Sequence, residues 1–235
     1  MSTTYTAITS EGGLIPLDLL DEIGDGLAQF QQAADFGLDG RLSDEIQSAF
    51  TVARSYWEIF RHRRERTAGS QATNTRDWVG ELLKTLGYRD LTRAASPAGG
   101  ETFAVTDRAG TDEHAPPVHI VSIDTELDIR GSHRRRTPHA SVQELLNRTE
   151  ALWGIVTNGA KLRLLRDSAK LVKPSYLEFD LEGMIAGNLY NEFAIFYRLV
   201  HRSRLPTGAA DAAKSPLEQL YQAAQARGGR VREKL

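Results

Sequence analysis

Apolar residues recur at helical spacing near the start of the chain, at Leu17, Leu19, Leu20, Ile23 and Leu27. A longer helical run follows through Ile46, Phe50, Val52, Ala53, Trp57, Ile59 and Phe60. Ser43 reads as its N-cap, with Asp44 and Glu45 behind it, and Arg61–Arg66 as its basic end. Thr67–Thr73 is small and polar and reads as a loop. A second pattern begins near Asn74. Asp77, Trp78, Val79, Leu82, Leu83, Leu86 and Tyr88 predict an amphipathic helix that stops at Gly87. Thr102–Thr106 and Val118–Ile123 read as strands. A helix follows with Val142, Leu145, Leu146 and Ala151 inward. The strongest local signal is Trp153–Thr157, Asn158-Gly159, Leu162–Arg166: two strands about a turn whose residues tolerate positive φ. Tyr176–Phe179 predicts another strand, and Tyr190–His201 an apolar helix. Pro206–Lys214 reads as a linker before a polar helix over Pro216–Lys234.

The order predicts an α/β fold: a mixed central sheet with a helical N-terminal section and a C-terminal connector helix. The expected division is 1–73, 74–205 and 206–235. The expected core includes Trp78, Leu82, Leu86, Ile120, Leu146, Ile155, Leu164 and Phe193.

Composition narrows the function. With no cysteine among 235 residues, disulfides, thiolate zinc sites and cysteine nucleophiles are excluded. No apolar run reaches the roughly 20 residues that span a bilayer, and Met1–Ile15 lacks the layout of a signal peptide. A cytoplasmic location without a membrane partner is therefore expected. The net charge is −2, so contact with nucleic acid must come from local basic patches.

Restriction-type nucleases place acids on adjacent strands behind a helix. The carboxylates hold Mg²⁺, and a lysine two residues after the second acid activates or orients water. Here Asp107 follows the first expected strand and Asp124-Thr125-Glu126 the second. The candidate catalytic residues are Asp107, Asp124 and Glu126, with Gln143 on the following helix. Asp107 and Asp124 are the candidate metal ligands, for Mg²⁺ if the site is active, and no other cofactor is expected. Glu126 stands where the lysine belongs, which marks the site as degenerate. The competing reading is that these acids are solvated at turns. Arg134, Arg135 and Arg136, in a loop that begins near Arg130, and Lys161 and Arg163 on the hairpin are the candidate nucleic-acid contacts. The competing reading for these is a solvated surface. The histidines show no metal-ligand spacing, and no glycine-rich cofactor loop is present.

Residues 140–204 carry a resemblance. Gln143–Asn147, Leu152–Gly159, Leu162–Asp167, Glu178–Glu182 and Phe193 to Arg204 resemble the N-terminal region of large DNA adenine methyltransferases, namely type IIG restriction–modification enzymes and BREX- or DISARM-like phage-defence methyltransferases. The likeness extends loosely from Trp78 to Arg232. It implies a restriction-endonuclease-like PD-(D/E)XK fold, and DNA and other subunits of a defence complex as partners. It also implies a longer parent protein with S-adenosylmethionine-dependent methyltransferase activity, since Tyr221–Leu235 resembles the start of the family's connector. The departure is the missing lysine. Three functions stay open: a non-cleaving domain that binds DNA or a partner, an active Mg²⁺-dependent endonuclease with an atypical acidic site, and a structural interaction module.

Overall fold

The computed structural model describes residues 4–66, 69–89, 91–93, 96–98, 100–132, 135–167 and 175–232. Among them, seven strands form one mixed sheet: β1 Ile8–Glu11, β2 Leu91–Thr92, β5 Asp107–Ala109, β6 Pro117–Ile120, β7 Trp153–Thr157, β8 Lys161–Arg166 and β9 Tyr176–Asp180, in the order β1-β9-β8-β7-β6-β5-β2. A two-stranded ribbon of β3 Ser96–Ala98 and β4 Glu101–Phe103 stands apart. The chain is α/β, as the pattern predicts.

β6 and β7 are parallel, with Val118 opposite Ile155, and every other pairing in the sheet is antiparallel. A parallel pair needs a crossover, and helix α4, Pro138–Arg148, supplies it. Its start is set locally: Thr137 accepts a hydrogen bond from the Ala140 amide, and Pro138 sits where its missing N–H costs nothing. Val142, Leu145 and Leu146 pack beneath it with Val156 and Leu165. The other face of the sheet meets helices α2 Leu42–Arg66, α3 Gln71–Thr85, α5 Leu181–Ala186 and α6 Tyr190–Val200. There, Trp57, Phe60 and Trp78 form an aromatic cluster, and the Trp78 indole donates to the Gly159 carbonyl at 2.9 Å. All eight expected core residues are buried.

The expected section boundaries carry no break in the core. One apolar cluster runs from Ala7 to Ala224. The N-terminal section is not purely helical, since β1 pairs with β9 as an edge strand. Glu192 anchors that strand by accepting the Thr6 and Ala7 amides. Helix α1, Leu17–Gly24, ends before Leu27, which is 77% exposed, because the chain turns at Gly26 with φ +70°. The expected loop Thr67–Thr73 already enters α3 at Gln71.

The strand expected at Thr102–Thr106 is corrected. Glu101–Phe103 joins the ribbon, and the central sheet takes Asp107–Ala109 instead. Phe103 is drawn toward α4, where the Arg136 and Arg148 guanidinium groups lie on its ring. The segment expected at Val118–Ile123 leaves the sheet after Ile120, because the Ile123 amide donates to Thr75 Oγ1 on α3 at 3.0 Å. The Asn-Gly turn also differs. Only Gly159 takes a positive φ, +84°, while the Asn158 carboxamide oxygen accepts the Ala160 and Lys161 amides, giving a three-residue loop. A Cβ at Gly159 would stand 2.9 Å from Thr75 Cγ2, so the turn closes directly on α3.

The segment expected to be a linker is packed. Residues Ala209–Lys214 form a 3₁₀ helix, with Asp211 accepting the Thr207 and Gly208 amides. Helix α7, Pro216–Arg232, docks through the buried Glu218, which accepts from the Trp153 indole at 3.0 Å and from Arg166 at 2.7 Å. Arg204 is fully buried. It donates to the carbonyls of Phe30 and Asp35 and lies 3.9 Å from the Phe36 ring centroid. Burial lowers its pKa to about 10, so it stays charged, with backbone carbonyls as its acceptors.

Candidate functional site

Helix α3 crosses the sheet beside β5 and the end of β6, and between them opens a cleft of about 680 Å³. Arg76, Asp77, Glu81 and Lys84 of α3 line it, facing Arg93, Thr106 and the Ile120–Ser122 segment. This is the sheet edge where an acid on one strand and an acid after the next would converge. Thr106 ties the two strands together: its hydroxyl donates to the Val118 carbonyl and accepts the Ile120 amide.

Asp107 lies in β5 itself rather than after a strand, and it is fully buried. Both its carboxylate oxygens are taken by Arg76, at 2.8 and 2.5 Å. This two-point geometry is the strong form of the arginine–carboxylate pair. The hydrogen bond to Asp107 holds the Arg76 pKa above the ordinary arginine value. The Arg76 side chain is 29% exposed and presents its cation to the cleft.

The other candidate acids do not join Asp107. Asp124 and Glu126 are exposed in the loop after β6 and do not line the cleft. Glu81, an acid of α3 that does line the cleft, is engaged by Lys84 at 2.6 Å. Gln143 lies where β7 begins and β8 ends, donating to the Arg166 carbonyl and to Asn147, away from the loop that carries Asp124. Among the described residues, no group of three acids or histidines is placed to hold a metal ion. With both Asp107 oxygens committed to a cation, the residues present do not fit the Mg²⁺ of a cutting site.

The basic candidates divide. Arg163 is 5% exposed on its side chain and is held by Asp128 and Glu178, each at 2.6 Å, over the Tyr176 ring. Burial opposes its charge, but the bonds to Asp128 and Glu178 outweigh it and raise its pKa. Arg136 is bound to Glu101 and Glu144, in a network shared with Arg148. Both arginines are held by acids of the fold, Arg163 buried and Arg136 half-buried. Lys161 is 46% exposed and 3.4 Å from Glu178. Arg130 and Arg135 are exposed. Arg134 lies outside the described residues.

Arg76 is the cleft residue least visible in the sequence. It belongs to a helix face whose apolar neighbours dominate the pattern, and its partner is 31 residues away. The only sign in the sequence was a cation on the helix expected to flank the acids.

No family model, curated protein or solved structure matches this chain.

Proposed function

We propose that this chain is a restriction-endonuclease-like domain that holds DNA without cutting it, as part of a restriction–modification or phage-defence protein. The observation that carries the reading is the Arg76–Asp107 pair. The acid at the position of the first metal ligand is neutralised from α3, and the residue two after the second acid is Glu126, not lysine. Supporting it are the order α3, antiparallel β5 and β6, crossover α4, parallel β7, and the resemblance over 140–204. A fold outlasting its chemistry is familiar. The surface assigned to DNA phosphates is the loop around Arg130 and Arg135, to which Arg134 belongs in sequence. Phosphate contacts of this kind position a backbone and read little sequence. In the parent protein, base recognition and methyl transfer belong to other parts.

Supercoiled plasmid incubated with the purified chain in Mg²⁺ or Mn²⁺ should remain supercoiled. Nicking that disappears in Asp124→Ala overturns the reading and favours an endonuclease with an atypical acidic site.

A further inference from the structure

A second cleft, of about 890 Å³, shares Lys84 with the Arg76 cleft and lies where α2, the end of α3, the end of α6 and the short helices at 202–204 and 209–214 meet. Its floor is fixed. His201 packs its ring against Phe36 and Tyr197 and hydrogen-bonds Ser203, and a Cβ at Gly87 would stand 2.9 Å from His201 Nε2. Burial, and then the charges of Arg204 and Arg202, lower the His201 pKa to about 4, so at neutral pH it brings no charge.

The charges that line the cleft are Lys84, Arg89, Arg202 and Lys214 against Glu45 and Asp211. On a chain of net charge −2, this lining carries a formal surplus of two positive charges (4 − 2). Both anions are already counted in that figure. The Asp211 carboxylate is consumed by the Thr207 and Gly208 amides and the Thr207 hydroxyl, and Glu45 is exposed on α2. Of the cations, Lys84 pairs with Glu81, and Arg202 is anchored on the Leu205 carbonyl. The side chains of Arg89 and Lys214 have no hydrogen-bond or ion-pair partner among the described residues. They approach from different elements, one just after α3 and the other at the end of the 3₁₀ helix before α7.

Cations in a concave wall concentrate a positive potential that an exposed surface disperses, and arginine and lysine are the usual phosphate donors. The volume lies within the roughly 300–1,000 Å³ of small-molecule sites. It exceeds what a bare phosphate fills, and Leu38 and Val52 add apolar wall for the remainder of a ligand. We propose that this cleft binds a phosphorylated small molecule of nucleotide size, with Arg89 and Lys214 taking its phosphate groups. The phosphate can belong to a free nucleotide or to the end of a nucleic-acid strand. The proposal is independent of the DNA-holding loop.

The test is calorimetric titration of the full chain with ATP, with adenosine, and with a short single strand carrying or lacking a 5′ phosphate. ATP should bind and adenosine should not if the source is a free nucleotide. If the source is a strand end, the phosphorylated strand should bind more tightly than its unphosphorylated twin. Arg89→Ala with Lys214→Ala should weaken the phosphorylated probe about tenfold or more, the effect of losing at least one charge-assisted hydrogen bond. Both residues are exposed, and an unchanged thermal melt confirms that the variant folds. Arg89→Lys with Lys214→Arg should restore most of the affinity, and Arg130→Ala with Arg135→Ala should leave ATP binding unchanged. Failure of both phosphorylated probes to bind up to millimolar concentration overturns the proposal, as does equal affinity in the double alanine variant.

Discussion

Asp107 and Arg76 set the chemistry of the Arg76 cleft, and they also set a stability test. Removing one partner of a buried ion pair leaves a charge without compensation, which costs about 3–5 kcal/mol. Arg76 is partly exposed, so Arg76→Ala belongs at the lower end of that range. Replacing both residues by leucine removes the stranded charge and should cost less than Arg76→Ala alone. Urea unfolding of the two variants checks this; a neutral Arg76→Ala contradicts it. Two buried histidines make a second test. The His139 pKa falls to about 4 through burial and then the charge of Arg163, and that of His201 falls to about 4 as well. The unfolded chain therefore binds more protons than the folded one between about pH 4 and 6.5. The stability due to neutral histidine is complete above pH 6.5 and is lost as pH falls toward 4, by about 1.4 kcal/mol per pH unit for each proton at full difference. Asp128, Glu101 and Asp211, whose pKa values are lowered in the fold, add losses in the same direction at more acid pH. Urea midpoints at stepped pH should fall through this window, with a shallower fall in His201→Gln; a flat profile contradicts the assignment.

At the scale of elements, the best-read parts were those whose local pattern and tertiary role agree. Trp153–Thr157 and the strand ending at Arg166 are legible because a run of apolar residues is buried on both sheet faces and the turn chemistry between them is local. α3 and α6 are legible through their apolar spacing. Asp107–Ala109 is not, because a buried aspartate and arginine in a three-residue strand read as a polar loop until Arg76 and the Ala115 carbonyl are seen to satisfy them. Ile8–Glu11 is hidden for a related reason: it alternates weakly and owes its place to β9 and Glu192. In the candidate site, the acids were legible as residue types, but their convergence was not. Arg136 and Arg163 looked like surface cations because nothing local reveals their acidic partners. α7 gives the element its own test. Glu218 is 2% exposed and satisfies Trp153 and Arg166 together. Glu218→Ala should destabilise the fold by about 3 kcal/mol and speed proteolysis within 216–232 ahead of the sheet. Protection equal to the parent chain contradicts that role.

Over the whole molecule, one apolar cluster joins residues from both ends of the chain to the sheet. No helix among the described residues is long and apolar enough to cross a membrane. Charge is handled in the same manner throughout: most internal arginines are paired or bound to carbonyls, while Arg130 and Arg135, like Arg89 and Lys214, are exposed on a chain of net charge −2. Under the proposed function, Arg130 and Arg135 hold a DNA backbone. The measurement that tests it most directly is a fluorescence-anisotropy titration of duplex DNA, in Mg²⁺ and at several salt concentrations, with the parent chain and with Arg130→Ala/Arg135→Ala. The DNA should stay intact, affinity should fall steeply with salt, and the variant should bind more weakly, its log–log salt slope reduced by about 0.9 for each phosphate that is no longer neutralised. Equal affinities with equal slopes, or no binding by the parent chain at low salt, contradict it.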